Sequence, residues 1–219
     1  MFKGKVLLFS LLIVFATSVY AGEVDDCLSS AGIFCDVYAD TLEFSICPAG
    51  DFEFIRNACG GTAAHIWVEV LNGSGNGIEG IPWTDFWLNA CDPAQELCLC
   101  ASAIAADSLT NAGGRTTISG QVAGGGCVLS GGMYIAVQGK VLYQAPDCID
   151  LICLPIVITS PDNSGDCQVT ITDFSTFAKS YNKGPGGYQY SKCCDYTNDD
   201  LVGLSDFSFF AKHYQHTCF

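Results

Sequence analysis

Near the C-terminus six aspartates fall into two trios with the same internal spacing. Asp162, Asp166 and Asp173 form the first; Asp195, Asp199 and Asp206 repeat it 33 residues later. Counting each leading aspartate as position 1, carboxylates stand at positions 1, 5 and 12. A hydroxyl (Ser164, Thr197) stands at position 3, and Gln168 and Leu201 offer their backbone carbonyls at position 7. A shell of hard oxygens at these positions suits a calcium ion, which takes six to eight oxygens in a flexible cage. Mg²⁺ fits less well because it resists leaving its water for a protein cage. Two Ca²⁺ sites are therefore expected, one per loop. Without a cation the clustered carboxylates repel one another, so metal binding should couple to folding of this segment.

The elements that must hold these loops are legible next to them. Val169 and Val202 at position 8 give each loop a branched apolar anchor. Phe174, Phe177 and Tyr181 then recur at i, i+3 and i+7, as do Phe207, Phe210 and Tyr214. That is one face of a two-turn helix, and the two faces are expected to pack together about a pseudo-twofold axis. The connector Asn182–Tyr188, rich in glycine, lets the second copy fold back. Position 6 must turn sharply but is Cys167 in one copy and Asp200 in the other, so both are expected to be strained or to take the left-handed region, which Asp tolerates better than Cys. A bridge from Cys167 to Cys193, Cys194 or Cys218 would stiffen its loop.

Residues 154–219 resemble a dockerin type I-like tandem repeat, an EF-hand-like calcium module of two loop–helix units. The resemblance rests on Asp162, Ser164, Asp166 and Asp173, on Asp195, Thr197, Asp199 and Asp206, and on Val169 and Val202. It implies docking onto a cohesin-like partner through residues at the end of each loop, here Ile171 with Thr172 and Leu204 with Ser205. These pairs are only half polar where the family usually has two hydroxyls. Docking against a neighbouring extracellular module, or against this chain itself, is the other arrangement the resemblance allows.

The rest of the chain sets the context. Lys3 and Lys5 precede an apolar run from Val6 to Ala16, and Val19 and Ala21 are small enough for a cut before Gly22, so residues 1–21 read as a secretory signal peptide. All 14 cysteines follow that cut. An even number in an exported chain predicts disulfides, up to seven, over zinc-finger sites, for which the spacing is wrong. Net charge is −14, and losing Lys3 and Lys5 takes it to about −16, a field that repels nucleic acid and favours cations. No stretch is long and apolar enough for a membrane-spanning helix.

Residues 22–153 read as a disulfide-rich β-sandwich module. Ala64–Val70, Ile78–Leu88, Arg115–Ser119 and Met133–Gln138 are expected strands, Gly124–Gly126 an expected break, and Asp92–Cys98 a short helical turn. The segment resembles bacterial immunoglobulin-like and carboxypeptidase-regulatory-like modules. That resemblance rests on a hairpin with Val68, Val70, Gly77, Glu79, Gly80 and Ile81 and on a turn from Thr110 and Asn111 to Gly114 and Arg115. The fold class is thus mainly β, an immunoglobulin-like sandwich followed by a small α module. His65, His213 and His216 lack metal or triad spacing, with the last two expected in solvent over the alternative of weak metal ligands, and Glu69 and Asp85 are isolated, so no enzyme is expected. Trp83 and Trp87 share strand parity and offer a sugar-stacking platform, against the plainer reading as core and rim. The resemblances imply a secreted, non-catalytic calcium-binding protein of extracellular assembly or attachment. The alternative is a carbohydrate-binding accessory subunit of a polysaccharide-degrading complex.

Overall fold

Burial alternates along His65–Glu69, Phe86–Ala90 and Arg115–Ile118, whereas Leu97–Leu99, Gly124–Gly126 and Met133–Val137 are apolar or glycine runs. The computed structural model describes residues 22–34, 41–48, 65–95, 97–100, 106–118, 123–144 and 147–218. The expected signal segment, Cys35 and Cys59 lie outside the described residues. Strands β1 (Ser30–Phe34), β3 (His65–Glu69) and β6 (Arg115–Ile118) form one antiparallel sheet in the order β1-β3-β6. Strands β4 (Phe86–Ala90), β8 (Met133–Val137) and β9 (Lys140–Val141) form another in the order β4-β8-β9. Ile66, Val68 and Ile118 of the first sheet share one core with Phe86, Leu88, Ile135 and Val137 of the second. Two smaller sheets lie beside them among the described residues. Strand β2 (Leu42–Ser45) pairs in parallel with β10 (Ile156–Thr159), and β5 (Leu97–Leu99) pairs antiparallel with β7 (Gly124–Gly126). The described chain is mainly β, with helices α1 (Ile171–Ser180) and α2 (Leu204–His213) at its end.

Three expected local structures differ, each for a physical reason. Ile78–Leu88 is not one strand. The Thr110 hydroxyl donates to the Ile78 carbonyl (2.6 Å) and accepts from the Ile81 amide (2.9 Å), which takes both groups out of any ladder. Gly80 has a φ of 82°, Pro82 lacks an amide hydrogen, and Trp83–Asp85 form a 3₁₀ turn before β4 begins. The expected helical turn over Asp92–Cys98 resolves into a tight turn, with Asp92 accepting from the Ala94 amide, followed by β5. The glycine run Gly124–Gly126 is no break but the buried partner of β5. Glycines are needed there because a Cβ on Gly125 would land on the Asp162 carboxylate.

The two helical units repeat the sequence offset in three dimensions. Both helices have ten residues and start 33 positions apart. Left-handed backbone recurs at Gly165 and Asn198, at Cys167 and Asp200, and at Asn182 and Gln215. Each copy hydrogen-bonds to the other's loop: Asn182 N donates to Val202 O (2.7 Å) and Gln215 N to Val169 O (2.9 Å). The reverse bonds, Val202 N to Lys183 O and Val169 N to His216 O, are both 2.9 Å. This reciprocity is the expected pseudo-twofold relation. Phe177 and Phe210 stack at its centre with ring centroids 5.5 Å apart. Of the six expected core aromatics only these two are fully buried; Tyr181, Phe207 and Tyr214 are about 40% exposed, while Tyr196 and Phe209 take inner places instead.

Disulfides fasten the helical units to the β part. Cys98 pairs with Cys167, Cys100 with Cys218, and Cys127 with Cys193. Cys167 is thus bridged, but to β5 and not to Cys193, Cys194 or Cys218. Cys148 pairs with Cys27 and Cys153 with Cys91, tying the segment after β9 to the β part. Closing a loop of 66 residues, as Cys127–Cys193 does, restricts the unfolded chain by about 4 kcal/mol on the chain-entropy estimate. Replacing both with serine should lower the unfolding free energy in a urea titration by about 2–4 kcal/mol; an unchanged midpoint and slope would show that this bridge contributes nothing.

Candidate functional site

In the first loop Asp162 is fully buried and collects the loop's own donors. Its Oδ1 accepts from Ser164 Oγ (3.1 Å), Gly165 N (2.9 Å) and Asp166 N (3.3 Å), and its Oδ2 accepts from Cys167 N (2.9 Å). At position 12 Asp173 works from the first turn of α1: Oδ1 accepts from Ser164 N (3.0 Å) and Oδ2 from Thr170 N (2.8 Å). The Thr170 hydroxyl in turn accepts from Thr172 N (3.2 Å), so one side chain ends the loop and caps the helix. The second loop repeats the plan. Asp195 Oδ1 accepts from Asp199 N (3.1 Å), Asp195 Oδ2 from Asp200 N (3.0 Å), Asp206 Oδ1 from Thr197 N (2.9 Å) and Asp206 Oδ2 from Gly203 N (2.8 Å).

The loops differ in how closely their carboxylates converge. In the second, oxygens of Asp195, Asp199 and Asp206 all lie within 4.8 Å of one another, a spacing the first loop's trio does not reach. The position-5 aspartates themselves are alike: Asp166 and Asp199 are both exposed, and their Oδ1 atoms accept from Gln168 N and Leu201 N, each at 3.0 Å. Gln168 and Leu201 themselves are exposed at position 7. Three carboxylates and the nearby Thr197 hydroxyl make a hard, anionic donor set, and its chemistry fits calcium better than a soft metal. The first loop offers the same donor types at the same positions, with its three carboxylates less closely gathered.

Charge around these loops is uneven. Burial pushes the Asp162 carboxyl above its ordinary range, with Asp173 and Asp166 adding in the same direction against the Ser164 hydrogen bond. Beside the second loop the chain supplies a cation of its own. Lys192 Nζ lies 3.0 Å from Asp195 Oδ2, hydrogen-bonds Asn198 Oδ1, and stands 3.7 Å from Asp200 Oδ1. Tyr190 OH also donates to Asp195 Oδ2 (3.2 Å). Sequence spacing did not mark Lys192 or Tyr190, because both lie before position 1, outside the loop motif.

The remaining expected residues are placed as follows. Ile171 and Leu204 are 66% and 70% exposed at equivalent points of the two helices, beside the exposed Thr172 and Ser205. Ile171 borders an apolar groove of about 320 Å³ with Phe174, Phe207, Phe210, Ala211 and Tyr214. Trp83 and Trp87 are both nearly half exposed, Trp83 on the 3₁₀ turn and Trp87 on the outward side of β4, so they do not share one strand. Trp67 lies across Gly32 of the neighbouring strand and opens onto a surface cleft of about 580 Å³, lined also by Glu69, Asn111, Arg115 and Thr117. Glu69 is ion-paired to Arg115 at 2.8 Å, and Asp85 accepts from Gln138 Nε2 at 3.1 Å. His65 stacks on Phe34. His213 is fully buried and His216 partly so, which corrects the expectation that both face solvent: Gln215 and His216 bond back to Val169 and draw the chain inward. No family model, no curated protein and no solved structure matches the chain.

The raised Asp162 carboxyl generates a pH prediction for metal-free protein. A native pKa above the unfolded value of 3.8 means the native state holds the extra proton between the two values, so stability falls as pH rises through that window. In chelator the Tm of wild type should therefore drop with rising pH from about 4 relative to Asp162→Asn. Parallel pH profiles for the two proteins would contradict the assignment.

Proposed function

We propose that this chain is a secreted, non-catalytic calcium-binding protein. On this reading the C-terminal repeat is a dockerin-like module carrying two Ca²⁺ ions, and the β part is an immunoglobulin-like sandwich. The observation that carries the proposal is the convergence of Asp195, Asp199 and Asp206 within 4.8 Å, in a loop whose backbone repeats in the first copy. Five described disulfides and the absence of any described helix long and apolar enough to cross a membrane support export. The ligands would be Asp162, Ser164, Asp166, Asp173 and the Gln168 carbonyl in one loop. In the other they would be Asp195, Thr197, Asp199, Asp206 and the Leu201 carbonyl. Three bridges to the β part support a repeat held first against its own chain, a rigid unit in place of a tethered one. Ile171, Thr172, Leu204 and Ser205 then remain available to a cohesin-like protein or a neighbouring extracellular module.

A second reading, as a carbohydrate-binding accessory subunit, is favoured by one feature: the Trp67 cleft joins an aromatic face to Asn111, Arg115 and Glu69. Glycan-array binding lost in Trp67→Ala would support it, and an array with no hits would remove it.

Calcium itself gives the sharper test. For a site with a Kd of about 10 µM, 1 mM Ca²⁺ adds about 2.7 kcal/mol, which is about 5–10 °C in Tm for a chain of this size. Calorimetry on the oxidised protein should show such a rise, largely lost in Asp206→Ala and reduced in Asp173→Ala. Superimposable traces with Ca²⁺ and with chelator would end the proposal.

A further inference from the structure

A second donor cluster, chemically unlike the aspartate loops, lies where the end of α2 meets the end of β2. His213 Nδ1 is 3.3 Å from His216 Nδ1, and His216 Nδ1 is 3.7 Å from Cys47 Sγ. Ligand atoms of all three residues lie within 4.8 Å of one another. Cys47 enters none of the described disulfides and is buried, His213 is 1% exposed, and His216 is partly buried. The other sulfur cluster, Cys98, Cys167 and Cys218, is accounted for by the Cys98–Cys167 and Cys100–Cys218 bridges.

The separations carry the argument. A tetrahedral ion with metal–nitrogen bonds of about 2.0–2.1 Å and a metal–thiolate bond of about 2.3 Å spans about 3.3 Å between two nitrogens and about 3.6 Å between nitrogen and sulfur. The observed 3.3 and 3.7 Å match those edges. Backbone geometry keeps the donors in place without help from the metal. His213 is the last residue of α2, and His216 N donates to His213 O (3.0 Å). His216 O accepts from Val169 N (2.9 Å), which locks the turn against the first loop. Cys47 continues from β2, where Ile46 N donates to Thr159 O (2.9 Å), and Cys47 O accepts from Gly124 N (3.1 Å). Two separately anchored pieces of chain thus present a thiol and two imidazoles to one point.

We infer that Cys47, His213 and His216 form a binding site for a borderline-soft transition-metal ion of the zinc class, with water as fourth ligand. Sulfur and imidazole donors select against Ca²⁺ and Mg²⁺, so the site is independent of the aspartate loops. Binding displaces the thiol proton to solvent and leaves thiolate on the metal, with each imidazole neutral and its other nitrogen protonated. The bound ion would join the N-terminal β part to the last helix, a non-covalent counterpart of the disulfides between the same two parts.

The test uses oxidised full-length protein stripped with chelator and returned to excess Ca²⁺, so that the acidic loops are filled whichever way the calcium proposal falls. Titration with Co²⁺ as a spectroscopic stand-in for zinc should give one equivalent with thiolate-to-cobalt charge transfer and intense tetrahedral visible bands, discharged by Zn²⁺. Cys47→Ser should abolish the charge-transfer band, and His216→Asn should weaken Zn²⁺ binding at least about tenfold. His216 is only partly buried, and an unchanged near-ultraviolet circular dichroism spectrum of His216→Asn would certify its fold even if Cys47→Ser misfolds. Absence of the bands in wild type, equal Zn²⁺ affinity in His216→Asn, or peptide mapping that finds Cys47 disulfide-bonded to Cys194 would each overturn the assignment.

Discussion

Four carboxylates, Asp162, Asp173, Asp195 and Asp206, are at most 1% exposed within one short stretch of chain. Removing an ionised carboxylate from water costs several kcal/mol unless donors or cations replace the lost hydration. The loops exist in their observed form because they supply those donors. Each leading aspartate gathers amides of positions 5 and 6, and each position-12 aspartate ties the position-3 amide to the start of a helix. Amides balance part of the charge but cannot cancel repulsion among neighbouring carboxylates. Lys192 compensates one oxygen of Asp195; a divalent ion would compensate the rest. Helix placement, the cross-loop bonds of Val169 and Val202 and the Phe177–Phe210 stack all follow from where these carboxylates are held.

The β part takes part in that arrangement. The bare backbone of β7 lies directly against Asp162, and Gly126 N donates to Asp162 O (2.6 Å). Ser45 of β2 donates to the Tyr196 carbonyl (2.8 Å), beside Asp195. Burial raises the Glu43 carboxyl, although Lys192 opposes the shift. With Cys98–Cys167 and Cys127–Cys193 fastened on either side, the first loop is braced from outside its own repeat. Buried Cys194, whose thiol is pushed up to about 12 by burial, stays protonated and serves as core. Such a repeat has little freedom to swing as an independent anchor, so a partner would meet a preformed surface.

Much of the C-terminal geometry was legible because it is local. Loop positions, the left-handed backbone at Cys167 and Asp200 and the pseudo-twofold relation all follow from spacings within 33 residues, though the helices run to ten residues where the aromatic spacing marks two turns. What was not legible depends on distant partners. Thr110 diverts the backbone at Ile78 and Ile81 and so breaks an apparently continuous strand. Gly124–Gly126 reads as a break until Leu97–Leu99 pairs with it. Cys167 reads as a partner for its own repeat, yet Cys98 lies 69 residues away. Lys192 and Tyr190 sit outside any loop motif, and no spacing rule joins Cys47 to His216 across 169 residues. Apolar periodicity likewise overstated the helix faces, since Tyr196 and Phe209 fill space assigned to Tyr181 and Tyr214.

The most direct test of the central claim is long-wavelength anomalous diffraction from crystals of the intact protein grown in calcium. The account predicts two anomalous peaks, one per loop, each about 2.3–2.6 Å from carboxylate oxygens of Asp162, Asp166 and Asp173 or of Asp195, Asp199 and Asp206. A well-phased map with no peak at either loop, and the aspartates held by amides and Lys192 alone, would contradict it.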